Sequence, residues 1–120
     1  MQASGLVEIV NQNRGTSLGN QIRLADAPLT RLVGLLGKRG LDSGCGLLIK
    51  PSSGIHTFGM RFPIDVVALD RNLCVQRTWE NLGPFRIAAV NLKTRAVLEL
   101  PVGVIQESRT RVGDQLTIKS

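Results

Sequence analysis

Apolar residues occur along the chain in short runs that turn-forming residues interrupt. Thirteen glycines and five prolines break the 120 residues at short intervals, which is typical of many short strands rather than long helices. Runs of apolar or alternating residues predict strands at 6–10, 21–25, 46–50, 55–62, 64–70, 73–80, 85–90, 95–100 and 115–119. The pattern therefore predicts a compact, mostly β fold of α+β type. A barrel-like arrangement is expected, since closure removes exposed strand edges.

One segment has the spacing of a helix instead. Asp26 can cap its first turn, and proline is tolerated where Pro28 stands. The apolar residues that follow are three or four positions apart, at Leu29, Leu32, Val33 and Leu36. We predict one short helix near residues 28–37, and a single helical turn at 104–109. Strands 6–10 and 21–25 are expected to form a hairpin with a long loop, and 64–70 with 73–80 a tighter one.

Length and charge narrow the class of protein. A chain of this length fits one domain over residues 1–120. Fifteen Lys and Arg against nine Asp and Glu give a net charge of +6, but the cations are scattered rather than clustered as in nucleic-acid binders. Four aromatic residues are also few for base stacking. We keep weak nucleic-acid binding through the basic surface only as an alternative.

The sequence also bears on compartment and cofactors. It shows neither a secretory signal nor an apolar run of about 20 residues, so we expect no membrane span. As written, the chain is expected to be soluble and cytoplasmic, or periplasmic or secreted if a leader was trimmed. Cys45 and Cys74 are interpreted as small buried thiols rather than a disulfide. One histidine and no Cys-x-x-Cys pair argue against a metal site, and we expect no cofactor.

Residues 55–65 hold the most unusual chemistry. Alternation places His56 on one strand face with Phe58, Met60 and Phe62. The histidine is either a base or ligand contact at a pocket mouth, or a histidine at the edge of the core. Arg61, on the face that Gly59 leaves open, could reach an anion.

Two carboxylates are further candidates. Asp65 needs a partner if it is buried, and Arg61, Arg95 or a backbone amide could supply it, an ion pair being the commoner outcome. Glu99 shares a predicted strand face with Arg95. A pairing of Asp65 with Glu99 as an acid/base couple is a weak signal, because nothing in the sequence places the two together.

The tests for common catalytic motifs fail. Residues 34–40 are glycine-rich and contain Lys38, but they lack the spacing of a phosphate-binding loop. No Gly-x-Ser-x-Gly elbow is present. Cys–His catalysis would require Cys45 or Cys74 to fold next to His56, which nothing in the sequence supports.

Five elements follow one another along about residues 30–118, in the segments 32–36 with 45–49, 56–61, 63–65, 95–103 and 112–114. In this order they resemble the DUF192 family of small bacterial and archaeal proteins of unassigned function. The resemblance implies a small, barrel-like β fold with little helix and no established activity. Many members carry a leader peptide. This chain departs from the family where Gly59 replaces a usual tryptophan and Arg61 a usual lysine.

The sequence therefore favours a non-enzymatic binding module for a small anionic ligand or a protein partner. The proposed ligand-binding residues share one property, which is that they are polar residues within otherwise apolar predicted strands: His56, Arg61, Asp65, Glu99 and Arg95. The first alternative is a hydrolase that uses His56, Asp65 and Glu99. A monomer or weak dimer is expected.

Overall fold

The computed structural model describes residues 5–26, 41–52, 55–56, 62–83, 87–88 and 93–120. Within these ranges the chain forms nine strands and one short helix. The strands are β1 (Leu6–Asn11), β2 (Thr16–Ala25), β3 (Cys45–Ile49), β4 (Ile55–His56), β5 (Ile64–Leu69), β6 (Val75–Leu82), β7 (Ile87–Ala88), β8 (Ala96–Leu100) and β9 (Leu116–Lys119), with helix α1 (Val104–Ser108) before β9. The helix predicted near 28–37 lies outside the described residues.

Seven strands form one sheet in the order β6-β5-β8-β3-β2-β1-β9. Neighbouring strands are antiparallel except β2 and β3, which run parallel. Strands β4 and β7 form a separate antiparallel pair of two residues each. The hairpin predicted from 64–70 and 73–80 is confirmed as β5 and β6.

The sheet curls until its two edge strands meet at one end. Just before β6 and β9, Cys74 and Gln115 form an antiparallel bridge. On either side of it, the Val75 amide donates to the Asp114 carbonyl at 2.9 Å, and the Leu116 amide to the Leu73 carbonyl at 3.0 Å. The expectation of a mostly β, barrel-like fold is thus confirmed as a curled half-barrel.

The three central strands β3, β5 and β8 are buried on both faces, because an apolar cluster lies on each side of them. The inner cluster includes residues of both edge strands, so the sheet curls around it: Val7, Ile9, Leu18, Ile22, Leu48, Val67, Leu69, Val75, Ala96, Leu98, Leu100, Ile105 and Leu116. The outer cluster lies on the opposite face: Leu47, Ile49, Phe62, Ile64, Val66 and Val97.

The first hairpin differs from its prediction. Strand β2 begins at Thr16 rather than at residue 21, so a turn of only four residues (12–15) joins it to β1. Because the first residues of β2 are mostly polar, the apolar pattern did not predict this part of the strand. Leu18 is nevertheless 2% exposed and packs in the inner cluster, and that burial stabilises the added length.

A buried polar network ties this hairpin to the segment before β9. The Asn11 side-chain amide donates to Asp114 Oδ2 at 2.9 Å and to the Thr110 hydroxyl at 3.1 Å. Arg14 donates to both Asp114 oxygens, from Nε at 3.1 Å and from Nη2 at 3.2 Å. Burial alone raises the pKa of Asp114, but the bonds from Asn11, Arg14 and the Arg111 amide outweigh it and hold that pKa below 3.8.

This network predicts an acid-dependent stability. Because the folded-state pKa of Asp114 is lowered, its contribution is complete above 3.8 and is lost as the pH falls through the folded value. We expect Asp114→Asn to lower the free energy of unfolding by about 1–3 kcal/mol near pH 7. The difference in the free energy of unfolding between this variant and the wild type, measured by urea denaturation, should become smaller near pH 2.5. A difference that is equal at both pH values, or a similar effect of Asp42→Asn at an exposed site, would contradict the assignment.

Candidate functional site

The register of the sheet separates the two candidate carboxylates. Asp65 of β5 lies opposite Leu100 of β8, and the next residue, Val66, lies opposite Glu99. Successive side chains of a strand point to opposite faces. Asp65 therefore shares the face of Leu100 and the inner cluster, whereas Glu99 shares the face of Val66 and the outer cluster. The sheet does not bring the two carboxylates together as an acid/base couple.

Backbone amides bond to both oxygens of the Asp65 carboxylate. Oδ1 accepts from the Asn81 amide at 2.9 Å. Oδ2 accepts from the Gly103 amide at 3.1 Å and from the Ile105 amide at 3.0 Å. The side chain is fully buried. Of the partners that the sequence left open for Asp65, the structure shows backbone amides.

These bonds give Asp65 a structural role. Asn81 lies at a bulge of β6 and has a positive φ of 54°, while Gly103 and Ile105 lie at the start of α1. A short helix leaves its first amides without intrahelical partners. One carboxylate thus holds an irregular strand and a helix start against β5.

Glu99 is the buried acid of the outer face. It is 1% exposed near the end of β8, between Leu47 of β3 and Val66 of β5 in the sheet. Ile64, Val66 and Val97 of the surrounding outer cluster are all fully buried. A carboxylate in apolar surroundings is retained only with hydrogen-bonding or charged partners. Glu99 is therefore a polar centre in an otherwise apolar face.

Arg95 precedes β8 at the edge of the same region. Its backbone amide donates to the Leu69 carbonyl at 2.9 Å, which places it beside the end of β5. Its side chain is exposed, and Nη1 donates to the Thr94 carbonyl at 3.1 Å. An exposed guanidinium near the outer face can meet an anion from solvent.

The other two candidates are described only in part. The backbone of His56 pairs with that of Ile87 between β4 and β7. The histidine side chain and all of Arg61 lie outside the described residues. Phe62, directly after Arg61, is 8% exposed and packs in the outer cluster. Phe62 therefore lies on the face that holds Glu99.

Metal ligands and thiols add little to this region. Within the described part of the chain, no three His, Cys, Asp or Glu side chains lie close enough together to hold a metal ion. Cys45 and Cys74 are free and half-buried rather than fully buried. Their sulfur atoms lie 3.6 Å from Gln21 Oε1 and from the Gly113 carbonyl, respectively. In the same ranges, no helix has the length and apolar character to cross a membrane.

Sequence patterns did not predict a polar groove of about 670 Å³ on another part of the surface. Four separate segments contribute its lining: Glu8, residues 16–20, residues 43–44, and the α1 residues Val104, Glu107 and Ser108. Two of these residues are carboxylates. No local motif could indicate the groove, because the fold brings its walls together from distant positions.

Comparison with known proteins places these observations in a family. The model of DUF192, described as an uncharacterized ACR, matches residues 9–118, and thus begins earlier than the motifs indicated. A UPF0127 protein of Pyrococcus horikoshii is 31% identical over 111 residues, covering 90% of this chain and 96% of that protein. A UPF0127 protein of Thermococcus kodakarensis is 25% identical over 113 residues, covering 91% and 71%.

Two solved structures have similar folds. A protein of unknown function from Novosphingobium aromaticivorans superposes with a TM-score of 0.72 at 19% identity, covering 98% of this chain and 89% of that one. A protein described as a putative transcription regulator from Sinorhizobium meliloti gives a TM-score of 0.70 at 21% identity, covering 98% of both chains. At these identities the likeness shows the fold alone.

Proposed function

The chain belongs to the DUF192 family, and on that premise we propose that it is a non-enzymatic binding module for a small anionic ligand or the acidic group of a protein partner. The proposed site combines the cations Arg61 and Arg95 with Glu99 and His56. Of these residues, Glu99 lies on the outer face and Arg95 comes directly before the same strand. Asp65 is left outside the site, because its oxygens bond to backbone amides on the inner face.

The observation that carries the proposal is the position of Glu99. It is buried in the outer cluster, two residues before Pro101 and on the same strand that Arg95 precedes. A carboxylate buried there can hold an arginine side chain in one orientation. The planar guanidinium has five N–H donors. If a carboxylate of the protein accepts from one edge of it, the other donors can still bind a carboxylate or phosphate of the ligand.

The same geometry weighs against the hydrolase alternative. General acid–base chemistry needs both groups within reach of one substrate atom. Asp65 and Glu99 point to opposite faces of one sheet. A second carboxylate for Glu99 would have to come from elsewhere in the chain.

Nucleic-acid binding is the remaining alternative, and the description of the Sinorhizobium meliloti relative as a putative transcription regulator gives it some support. A gel shift at about 50 and about 200 mM salt tests it, since contacts with phosphates weaken steeply as salt rises. Affinity that barely changes between the two concentrations would remove the electrostatic argument.

We expect Arg61→Ala to abolish anion binding without unfolding the protein. Inorganic phosphate and succinate are suitable probes, because they present the two anion classes that arginine pairs with. The loss of a charge-assisted hydrogen bond should weaken binding by at least about tenfold in isothermal titration calorimetry. The melting temperature should stay within about 2 °C of wild type.

Arg111→Ala is the matched control, since it removes the same charge from an exposed residue near β9. It should leave binding intact. If Arg61→Ala instead lowers the melting temperature markedly and neither anion binds the wild type, Arg61 is structural and the proposal is wrong.

A further inference from the structure

We propose a second ligand site in the polar groove, which takes a small organic polycation carrying ammonium groups. The groove lies between the β1–β2 hairpin, the loop before β3 and helix α1. Its volume of about 670 Å³ falls within the range of small-molecule sites. This site goes beyond the proposed function, since it takes a ligand of the opposite charge and does not use the outer face.

The lining determines the chemistry of the ligand. The side chains that line the groove offer oxygen acceptors from hydroxyl, amide and carboxylate groups: Thr16, Ser17, Asn20, Ser43, Ser108, Glu8 and Glu107. Among the described residues, neither lysine nor arginine lines it. A cavity rich in acceptors matches a ligand rich in donors, and an ammonium group is a donor only, with three N–H bonds.

The charge of the groove lining is opposite in sign to the net charge of the protein. The chain carries a net charge of +6, yet the two charged residues within the described lining of the groove are both acidic. Between described residues, the recorded ion pair joins Arg14 to Asp114, so neither groove carboxylate is paired with a described cation. At physiological ionic strength, charges beyond about 8 Å are largely screened. A cation inside the groove therefore interacts mainly with nearby charges, which are the lining residues Glu8 and Glu107 and Lys119, the residue opposite Glu8 in the sheet.

A chain of hydrogen bonds positions Glu8 before any ligand arrives. The Gly19 amide donates to the Ser17 hydroxyl oxygen at 3.2 Å. That hydroxyl donates in turn to Glu8 Oε2 at 2.9 Å. The donor of the serine hydroxyl is thus used within the protein, and Glu8 Oε1 is left as an acceptor for the ligand.

Strand β2 packs closely against the loop before β3 beneath this site. Gly19 has a φ of 153°, and a Cβ there would lie 2.7 Å from both the Gly44 carbonyl oxygen and Ile22 Cδ1. Strand β2 and the loop at residue 44 can therefore approach closely because residue 19 is a glycine. The close approach keeps the groove in one shape, which reduces the ordering cost of binding.

Spermidine is the probe for the test, and isothermal titration calorimetry of the full chain gives its affinity. We expect saturable binding to the wild type, weakened at least about tenfold by the double variant Glu8→Gln, Glu107→Gln. Glu80→Gln, at an exposed position of β6, removes one negative charge elsewhere and should leave the affinity within about twofold of wild type. Urea denaturation checks that each variant folds.

Three results would overturn the site. They are the absence of saturable spermidine binding to the wild type, unchanged affinity in the folded double variant, and equal weakening by Glu80→Gln. The last would show diffuse attraction to surface charge. Phosphate binding is measured in parallel, and its loss in Arg61→Ala but not in the double variant distinguishes the outer-face site from the groove.

Discussion

Replacing Asp65 with alanine is expected to lower the free energy of unfolding by about 3–5 kcal/mol. Three backbone amides lose their acceptor at once, at Asn81, Gly103 and Ile105. Asp65 is fully buried, so water cannot readily replace the lost carboxylate. The Ile105 amide, whose bond to Asp65 is buried, would keep its full desolvation cost. The β6 bulge and the start of α1 should loosen together, because one side chain holds both.

Chemical denaturation of Asp65→Ala and Asp65→Asn measures this effect. The asparagine has one carbonyl oxygen in place of two carboxylate oxygens, so it should recover part of the stability. Asp42→Ala, at an exposed position, should change the free energy of unfolding by less than about 0.5 kcal/mol. A loss below about 1 kcal/mol in Asp65→Ala would show that the amides find other partners and that Asp65 is free for another role.

Gly46→Ala is expected to have the second largest effect, at about 2–3 kcal/mol of lost stability. A Cβ at Gly46 would lie 2.7 Å from the Glu99 carbonyl oxygen and 2.9 Å from Ile22 Cδ1. The first contact is with the backbone of β8, which cannot move without disturbing its pairing with β3 and β5. Overpacking at this position therefore strains the centre of the sheet.

Gly83→Ala is the matched control, because a Cβ there meets nothing within 4 Å and the residue has no positive φ. Its effect on the melting temperature should be small, whereas Gly46→Ala should lower it by about 10 °C or more. Equal melting temperatures for the two variants would mean that β3 and β8 lie farther apart than the structure places them.

The fold could be predicted from the sequence where the pleat alone determines the faces. The alternation of residues 64–70 predicted that the side chain of Asp65 points to the other face of the sheet from those of Ile64 and Val66. The alternation of residues 95–100 predicted the same of Glu99 relative to Leu98, and the register confirms both. What alternation cannot supply is the order of strands in the sheet. Only the β5–β8 pairing shows that the two carboxylates point to opposite sides.

Partners distant in sequence were also beyond prediction. The amides that bond to Asp65 lie 16, 38 and 40 residues away, and no local pattern links them to it. The groove has the same character, since Glu8 and Glu107 are polar residues of ordinary appearance until the fold places both at one cavity. Both the hydrogen bonds of Asp65 and the groove depend on contacts between segments that are distant in sequence. The family resemblance assigned no role to these residues.

An amide NMR titration of the wild type with inorganic phosphate and succinate tests the central claim most directly. That claim is that Asp65 and Glu99 lie on opposite faces of the sheet and have different roles. We predict saturable shifts around Arg95 and Glu99, which belong to the outer-face region, and around His56. The amides of Asn81, Gly103 and Ile105, which bond to Asp65, should remain unchanged. Shifts centred on those three amides, or no saturable shifts with either anion, would contradict the account.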